Sequence, residues 1–264
     1  MKKILPRILF VLLLVAGAGL LAYPKVSDYV NRMNGSKAIQ VLADTLSLTD
    51  GAALERQRTM AQAYNRGLLS PENGDTGNYE DILDFGNGVM GYLEIPRIGV
   101  SLPIYHGTQE QTLSRGLGHM PQSAFPIGGE GNHAAIVGHT GLPSAKMFDD
   151  LIKLEEGDLF TVSVLGENQA YCVDQILVVE PADSSELAPV PGEDYCTLVT
   201  CTPYGVNSHR LLVRGKRTEP AQEVLAPQAA PSVPVAGIWW FALISALLMG
   251  IAVAVALLLR LRRR

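Results

Sequence analysis

The chain has 264 residues, 47% hydrophobic and 18% charged, with 26 Gly, 16 Pro and a formal net charge of −5. That length holds one ordinary domain with extensions, or two small ones. The aliphatic content excludes a disordered chain, and three cysteines exclude a disulfide-built scaffold.

Residues 1–23 read as a membrane anchor or signal segment, with Lys2, Lys3 and Arg7 flanking an apolar run from Ile8 to Ala22. An uncleaved anchor and a signal peptide cut near Ala16-Gly17-Ala18 both remain open, and either exports the middle of the chain. Residues 24–88 read as a helical appendage. Apolar positions recur at Val26, Tyr29, Val30 and Met33, then Ile39, Leu42 and Leu46, then Leu54, Met60, Tyr64 and Leu68. Ser36 and Asp50 are the expected N-caps of the second and third pieces. Turn formers from Ser70 to Asn78 then interrupt the pattern.

From Val89 to Arg217 the texture changes to short β-prone runs separated by Gly and Pro. Examples are 91–95, 100–105, 134–137, 159–164, 171–179, 197–200 and 211–213. Seven or eight such strands predict a closed barrel or sandwich, with a helical turn around Ser144 to Leu151. Residues 218–234 are a Pro/Ala linker. The 25 residues from Val235 to Leu259 carry no charge, and Arg260, Arg262, Arg263 and Arg264 lie in the tail, 260–264. At about 1.5 Å per residue that run reaches roughly 37 Å as a helix, enough to span a bilayer. Trp239 and Trp240 suit its interfacial end.

Basic flanks stay inside, so both termini are expected in the cytoplasm and the intervening chain outside the cell membrane. Setting the seven flanking cations aside leaves 14 against 26 acids, an external charge near −12. That disfavours nucleic acid as a partner.

Cys201 ends the β-run Thr197-Leu198-Val199-Thr200-Cys201 and precedes the turn formers Thr202-Pro203-Tyr204-Gly205. Arg210 opens the next strand, so a hairpin brings its guanidinium near the sulfur. His139 comes just after another strand, in Gly138-His139-Thr140-Gly141. A thiol, an imidazole and a guanidinium are the parts of a cysteine acyl transferase: nucleophile, proton carrier and oxyanion or substrate holder. Spacing alone leaves open the ordinary reading of a strand cysteine as a small buried hydrophobe. At ordinary values of about 8.5 for a thiol and 6.5 for an imidazole, the thiolate–imidazolium pair is only about 1% of the population at neutrality. A nearby guanidinium favours the thiolate.

Thr197 to Cys201 with Arg210 resembles the Thr-Leu-x-Thr-Cys signature of sortases, Gram-positive cysteine transpeptidases that attach proteins to the cell wall or polymerise pili. The runs 91–96, 102–108, 138–146 and 201–215 resemble class C sortases, the pilin polymerases. The resemblance is dense from Gly88 to Arg217 and looser over the helices. It implies an eight-stranded sortase-type barrel, and with the helical appendage and apolar runs read above the expected fold is mainly β, with an N-terminal helical appendage and a transmembrane helix at each end. It implies Cys201 as nucleophile, His139 as general acid/base and Arg210 as oxyanion or substrate-orienting cation. His106, His119 and Thr200, in family-like contexts, are expected at the substrate groove.

The implied reaction cleaves the Thr–Gly bond of a Leu-Pro-x-Thr-Gly-like sorting signal and forms a thioester on Cys201. A lysine amine of a pilin subunit, or an amine of the cell-wall precursor, resolves it. Partners are thus pilins or surface proteins bearing sorting signals, and the lipid bilayer; no cofactor and no metal is required. The alternatives are a housekeeping-type sortase serving the wall precursor, a non-catalytic membrane-tethered binding module, and a cysteine hydrolase. Class C sortases commonly carry an Asp-Pro-Phe or Asp-Pro-Trp lid, and no such triplet stands between Ala63-Tyr64-Asn65 and Gly88-Val89-Met90. Asp84-Phe85 imitates it weakly or closes a short helix.

Cys196 lies an odd number of residues before Cys201 and should leave the opposite face of the strand. Cys172 and Cys196 are read either as a cross-strand bridge or as free buried thiols. Asp149 and Asp150 read as a helix end.

Overall fold

The computed structural model describes residues 5–69, 78–86 and 88–219. The chain divides into two compact units. The larger, residues 31–142 and 146–219 among those described, contains the barrel and every residue of the candidate site.

Among the described residues two α-helices precede the barrel, α1 (Leu5–Leu48) and α2 (Gly51–Leu69). The helix does not restart at Ser36 as the capping pattern suggested. Leu42 is buried with Val89 and Tyr105, and Gly35 lies so close to Pro103 that a Cβ there would come within 3.3 Å. Packing against the barrel at Gly35 and again at Leu42 therefore overrides the local capping preference. Asp50 does open α2, its carbonyl accepting the amides of Ala53 (2.9 Å) and Leu54 (3.1 Å).

The run from Ile8 to Ala22 forms part of α1, with Leu9, Phe10, Leu12, Leu13, Leu20 and Leu21 exposed. It is 15 residues long, against about 20 for a full crossing. Among the described residues no helix is long and apolar enough to cross a membrane. The expected second span, the basic tail and nearly all of the linker lie outside the described residues.

Eight strands form the barrel: β1 (Val89–Ile95), β2 (Val100–His106), β3 (Leu117–His119), β4 (Asn132–Val137), β5 (Leu159–Val164), β6 (Glu167–Val179), β7 (Asp194–Thr202) and β8 (His209–Arg217). They close in the order β1-β2-β3-β4-β7-β8-β6-β5, and β5 pairs back onto β1. Only β2–β3 and β4–β7 are parallel. Parallel neighbours need a crossover. The first carries a short helix, α3 (Glu110–Leu113), and the second is the whole excursion from residue 138 to 193. The turn expected near Ser144–Leu151 is a single 3-10 turn at Leu151–Lys153.

The interior is filled by alternate residues, including Leu93, Ile95, Ile104, Leu117, Ile136, Phe160, Leu198 and Val213, each 0% exposed. Burying such a side chain contributes about 1.5–3 kcal/mol. The segment Tyr79 to Phe85 lies between α2 and the barrel. Ile82 and Leu83 enter the core, and Gln57 bonds both the Leu83 amide and the Asp81 carbonyl. Asp84 accepts a 2.8 Å bond from the Gly86 amide, closing a turn rather than a helix, and Phe85 packs beside Val89 and Tyr105.

Candidate active site

β7 lies between β4 and β8, and this order assembles the site. Cys201, the penultimate residue of β7, faces Arg210 directly across the antiparallel ladder. On the other side the parallel ladder pairs Val137 with Val199 and continues as a 3.0 Å bond from the Gly138 amide to the Val199 carbonyl. His139 is two residues beyond Val137, as Cys201 is two beyond Val199. Cys196 and Leu198 belong to the interior core, whereas Val199 joins Ala135 and Leu212 in an outer apolar cluster. By alternation Cys201 shares the outer face with Val199. Imidazole, thiol and guanidinium thus stand on three adjacent chain ends at one rim.

The loop carrying His139 is held at several points. Thr200 donates a 2.7 Å hydrogen bond from its hydroxyl to the Gly138 carbonyl. Asp149 accepts from the Gly141 amide at 2.7 Å and the Thr140 hydroxyl at 3.2 Å, and the Phe148 amide donates to the His139 carbonyl at 3.0 Å. Gly138 must lack a side chain, because a Cβ would sit 2.6 Å from Phe148 and 2.7 Å from Leu117.

The three side chains are partly exposed, although Nε2 of His139 is itself buried. Cys201 is half-buried and the His139 side chain is 23% exposed. His139 Nε2 makes no hydrogen bond among the described residues and lies 3.4 Å from Oε2 of Glu110, an ion pair whenever the imidazole is protonated. Arg210 Nη1 donates to the carbonyls of His209 (3.2 Å) and Asn207 (3.5 Å). It has no carboxylate partner among the described residues, so its charge is available to an oxyanion beside Cys201.

The structure places the other expected groove residues elsewhere. His119 is 0% exposed: Nε2 donates to the Ala124 carbonyl at 2.9 Å and Nδ1 accepts from the Tyr79 hydroxyl at 2.9 Å. Its ring stacks on Phe125 with centroids 4.8 Å apart. Burial drives the His119 pKa down to about 4, and neighbouring His106 adds to this. His106 is itself buried, Nε2 lying 2.6 Å from the Ile82 carbonyl. These imidazoles fasten the Tyr79–Phe85 segment to the barrel instead of lining a groove. Thr200 is 3% exposed, with its hydroxyl turned to Gly138, so it positions the histidine loop rather than touching a substrate.

All three cysteines are free. A Cys172–Cys196 bridge is prevented by topology, since β8 lies between β6 and β7 and places Lys216 and Gly215 opposite the two residues. Burial pushes the Cys196 thiol far up, so it stays protonated.

Two residues escaped the sequence reading. Asp149 resembled a helix end, and only the fold reveals that it braces the loop after His139. Glu110 reaches His139 from a different crossover, and no local pattern announces such a contact.

The sortase domain family matches residues 93–218. Over 223 residues the chain is 26% identical to sortase D of Bacillus subtilis, covering 82% of this chain and 99% of that one. Its structure is similar to sortase C1 of GBS pilus island 1, with a TM-score of 0.66 and 38% identity over 71% of this chain and 94% of that one. It is also similar to Streptococcus pneumoniae sortase C, with a TM-score of 0.65 and 44% identity over 70% and 97%. The chain belongs to the sortase family of cysteine transpeptidases. Its solved neighbours are pilin-class, class C, sortases.

Proposed function

We propose that this chain is a membrane-anchored pilin-polymerising sortase acting on a Leu-Pro-x-Thr-Gly-like signal. Cys201 attacks the threonine carbonyl carbon, and Arg210 stabilises the oxyanion. As the Thr–Gly bond breaks, His139 gives its proton to the departing glycine amine, leaving a thioester on Cys201. A lysine amine of the next pilin then displaces the thiolate. The observation that carries this reading is the direct pairing of Cys201 with Arg210, with His139 just past the end of the strand on the other side.

Pilin as acceptor is supported by the similarity to the pilus-island and pneumococcal enzymes, at 38% and 44% identity. The pneumococcal structure bears on pilin substrate specificity in that protein. Placement at the cell membrane, with the catalytic unit outside and both termini inside, is supported by the basic flanks of both apolar runs. The exposed apolar surface at the start of α1 supports it too.

The test is to incubate the protein with a sorting peptide and a lysine-bearing pilin fragment. An isopeptide-linked product is expected. Free acid alone would make the protein a hydrolase, and a product formed only with a wall-precursor amine would make it a housekeeping enzyme.

A further inference from the structure

The rim is electrically asymmetric. Moving along the barrel wall, Arg210 on β8 is succeeded by Cys201 on β7, His139 after β4, and Glu110 in the crossover between β2 and β3. A cation therefore flanks the nucleophile on one side and a carboxylate flanks the proton carrier on the other. Glu110 is not a structural brace: its side chain is 77% exposed, and its contact to His139 Nε2, at 3.4 Å, lacks hydrogen-bond geometry. No other carboxylate approaches the imidazole nitrogens within ion-pair distance among the described residues. Asp149, the other acid on that loop, is committed to the Gly141 amide and Thr140 hydroxyl.

We infer that Glu110 is the docking group for the positively charged amine of the second substrate, and so a determinant of acceptor specificity. The inference rests on the reaction proposed above and deepens its second half. The acceptor arrives as an ammonium ion and must reach the thioester from the side where His139 can take a proton. A carboxylate next to that imidazole attracts the ammonium to this flank and away from Arg210. The order of events makes the carboxylate available at the right time. In the thiolate–imidazolium form that starts acylation, the charged His139 ring pairs with Glu110. Once His139 has given its proton to the leaving glycine amine it is neutral, and Glu110 is left without a cation.

The step balances. The ammonium loses one proton to water, and the nitrogen lone pair attacks the thioester carbon. The C–N bond forms, the C–S bond breaks, and the second proton passes through His139 to the Cys201 thiolate. Glu110 exchanges no atom with the substrate; it holds the acceptor until the nitrogen is deprotonated.

The test uses the thioester formed on the full chain with a sorting peptide, monitored by mass. It is challenged separately with Nα-acetyl-lysine amide and with hydroxylamine, which is uncharged at neutral pH. For Glu110→Gln the ratio of lysine aminolysis to hydroxylaminolysis should fall roughly two- to fivefold, the scale of one exposed charge pair. The loss should lie in the half-saturating lysine concentration and fade in high salt. Glu110→Asp should recover much of the ratio, and Glu110→Lys should lower it further. An unchanged ratio in Glu110→Gln would overturn the inference. So would an equal loss with both nucleophiles, since Glu110 would then act only through His139. Absence of any thioester on wild-type Cys201 would overturn the reaction itself, a result distinct from a thioester whose partition ignores Glu110.

Discussion

The Thr200 hydroxyl donates a 2.7 Å hydrogen bond to the carbonyl of Gly138, joining the residue before the thiol to the residue before the imidazole. Both partners are withdrawn from bulk water, so the bond fixes the spacing of the two reactive chain ends. Thr200→Val keeps the shape but removes the donor, leaving a carbonyl unpaired. A loss of about 1–2 kcal/mol of stability is expected, with slower acylation. Thr200→Ser should retain most of both. Thermal unfolding and single-turnover acylation of the two variants check this.

Arg210 makes no carboxylate pair among the described residues and is only half-buried, so its removal should cost little stability. Its value to an oxyanion is a different matter. Arg210→Ala should lower the acylation rate by roughly two to three orders of magnitude while the melting temperature stays within a degree or two. Arg210→Lys should recover little, because an ammonium lacks the planar fork of donors. Rate and melting curve measured together separate catalysis from folding.

His119 is buried as the neutral ring, with a folded-state pKa near 4 against about 6.5 unfolded. Between these values the unfolded chain binds the proton and the folded one does not. Stability therefore rises with pH across this window. The contribution is complete above about pH 6.5 and is lost as pH falls through 4, an effect on the order of 3 kcal/mol. His119→Asn should flatten the pH dependence of urea-unfolding stability between pH 4 and 6.5, whatever it does to its height. Burial lowers His133 as well, so part of the slope should survive.

Cys196 is fully buried with its thiol held protonated, and Cys172 lies two strands away. A thiol reagent applied to the folded protein should label Cys201 well before Cys196. Oxidation by diamide should produce no Cys172–Cys196 crosslink. Peptide mapping after a short pulse of iodoacetamide reads both.

The barrel was legible because its strands are rich in Val, Leu, Ile and Thr and are bounded by Gly and Pro. The site was legible because a nucleophile, a base and a cation each close or open such a run. The short strand β3 was not, since three residues including Gly118 carry no periodicity. Helix α1 looked broken at Gly35-Ser36, but that glycine serves a close approach to Pro103, a contact only the fold creates. His106 and His119 sit in sequence contexts that suggest a groove. Their true neighbours, Tyr79 and Phe125, come from segments outside those contexts. Glu110 was invisible for the same reason: its relation to His139 exists only because β3 pairs with β4.

The most direct measurement is the intact mass of the protein after incubation with a sorting peptide, together with mapping of the modified residue. An acyl adduct of the peptide truncated after threonine is expected on Cys201, absent from Cys201→Ala and strongly reduced in His139→Ala and Arg210→Ala. An adduct on Cys172 or Cys196, or one undiminished in Cys201→Ala, would contradict the assignment of Cys201 as the nucleophile.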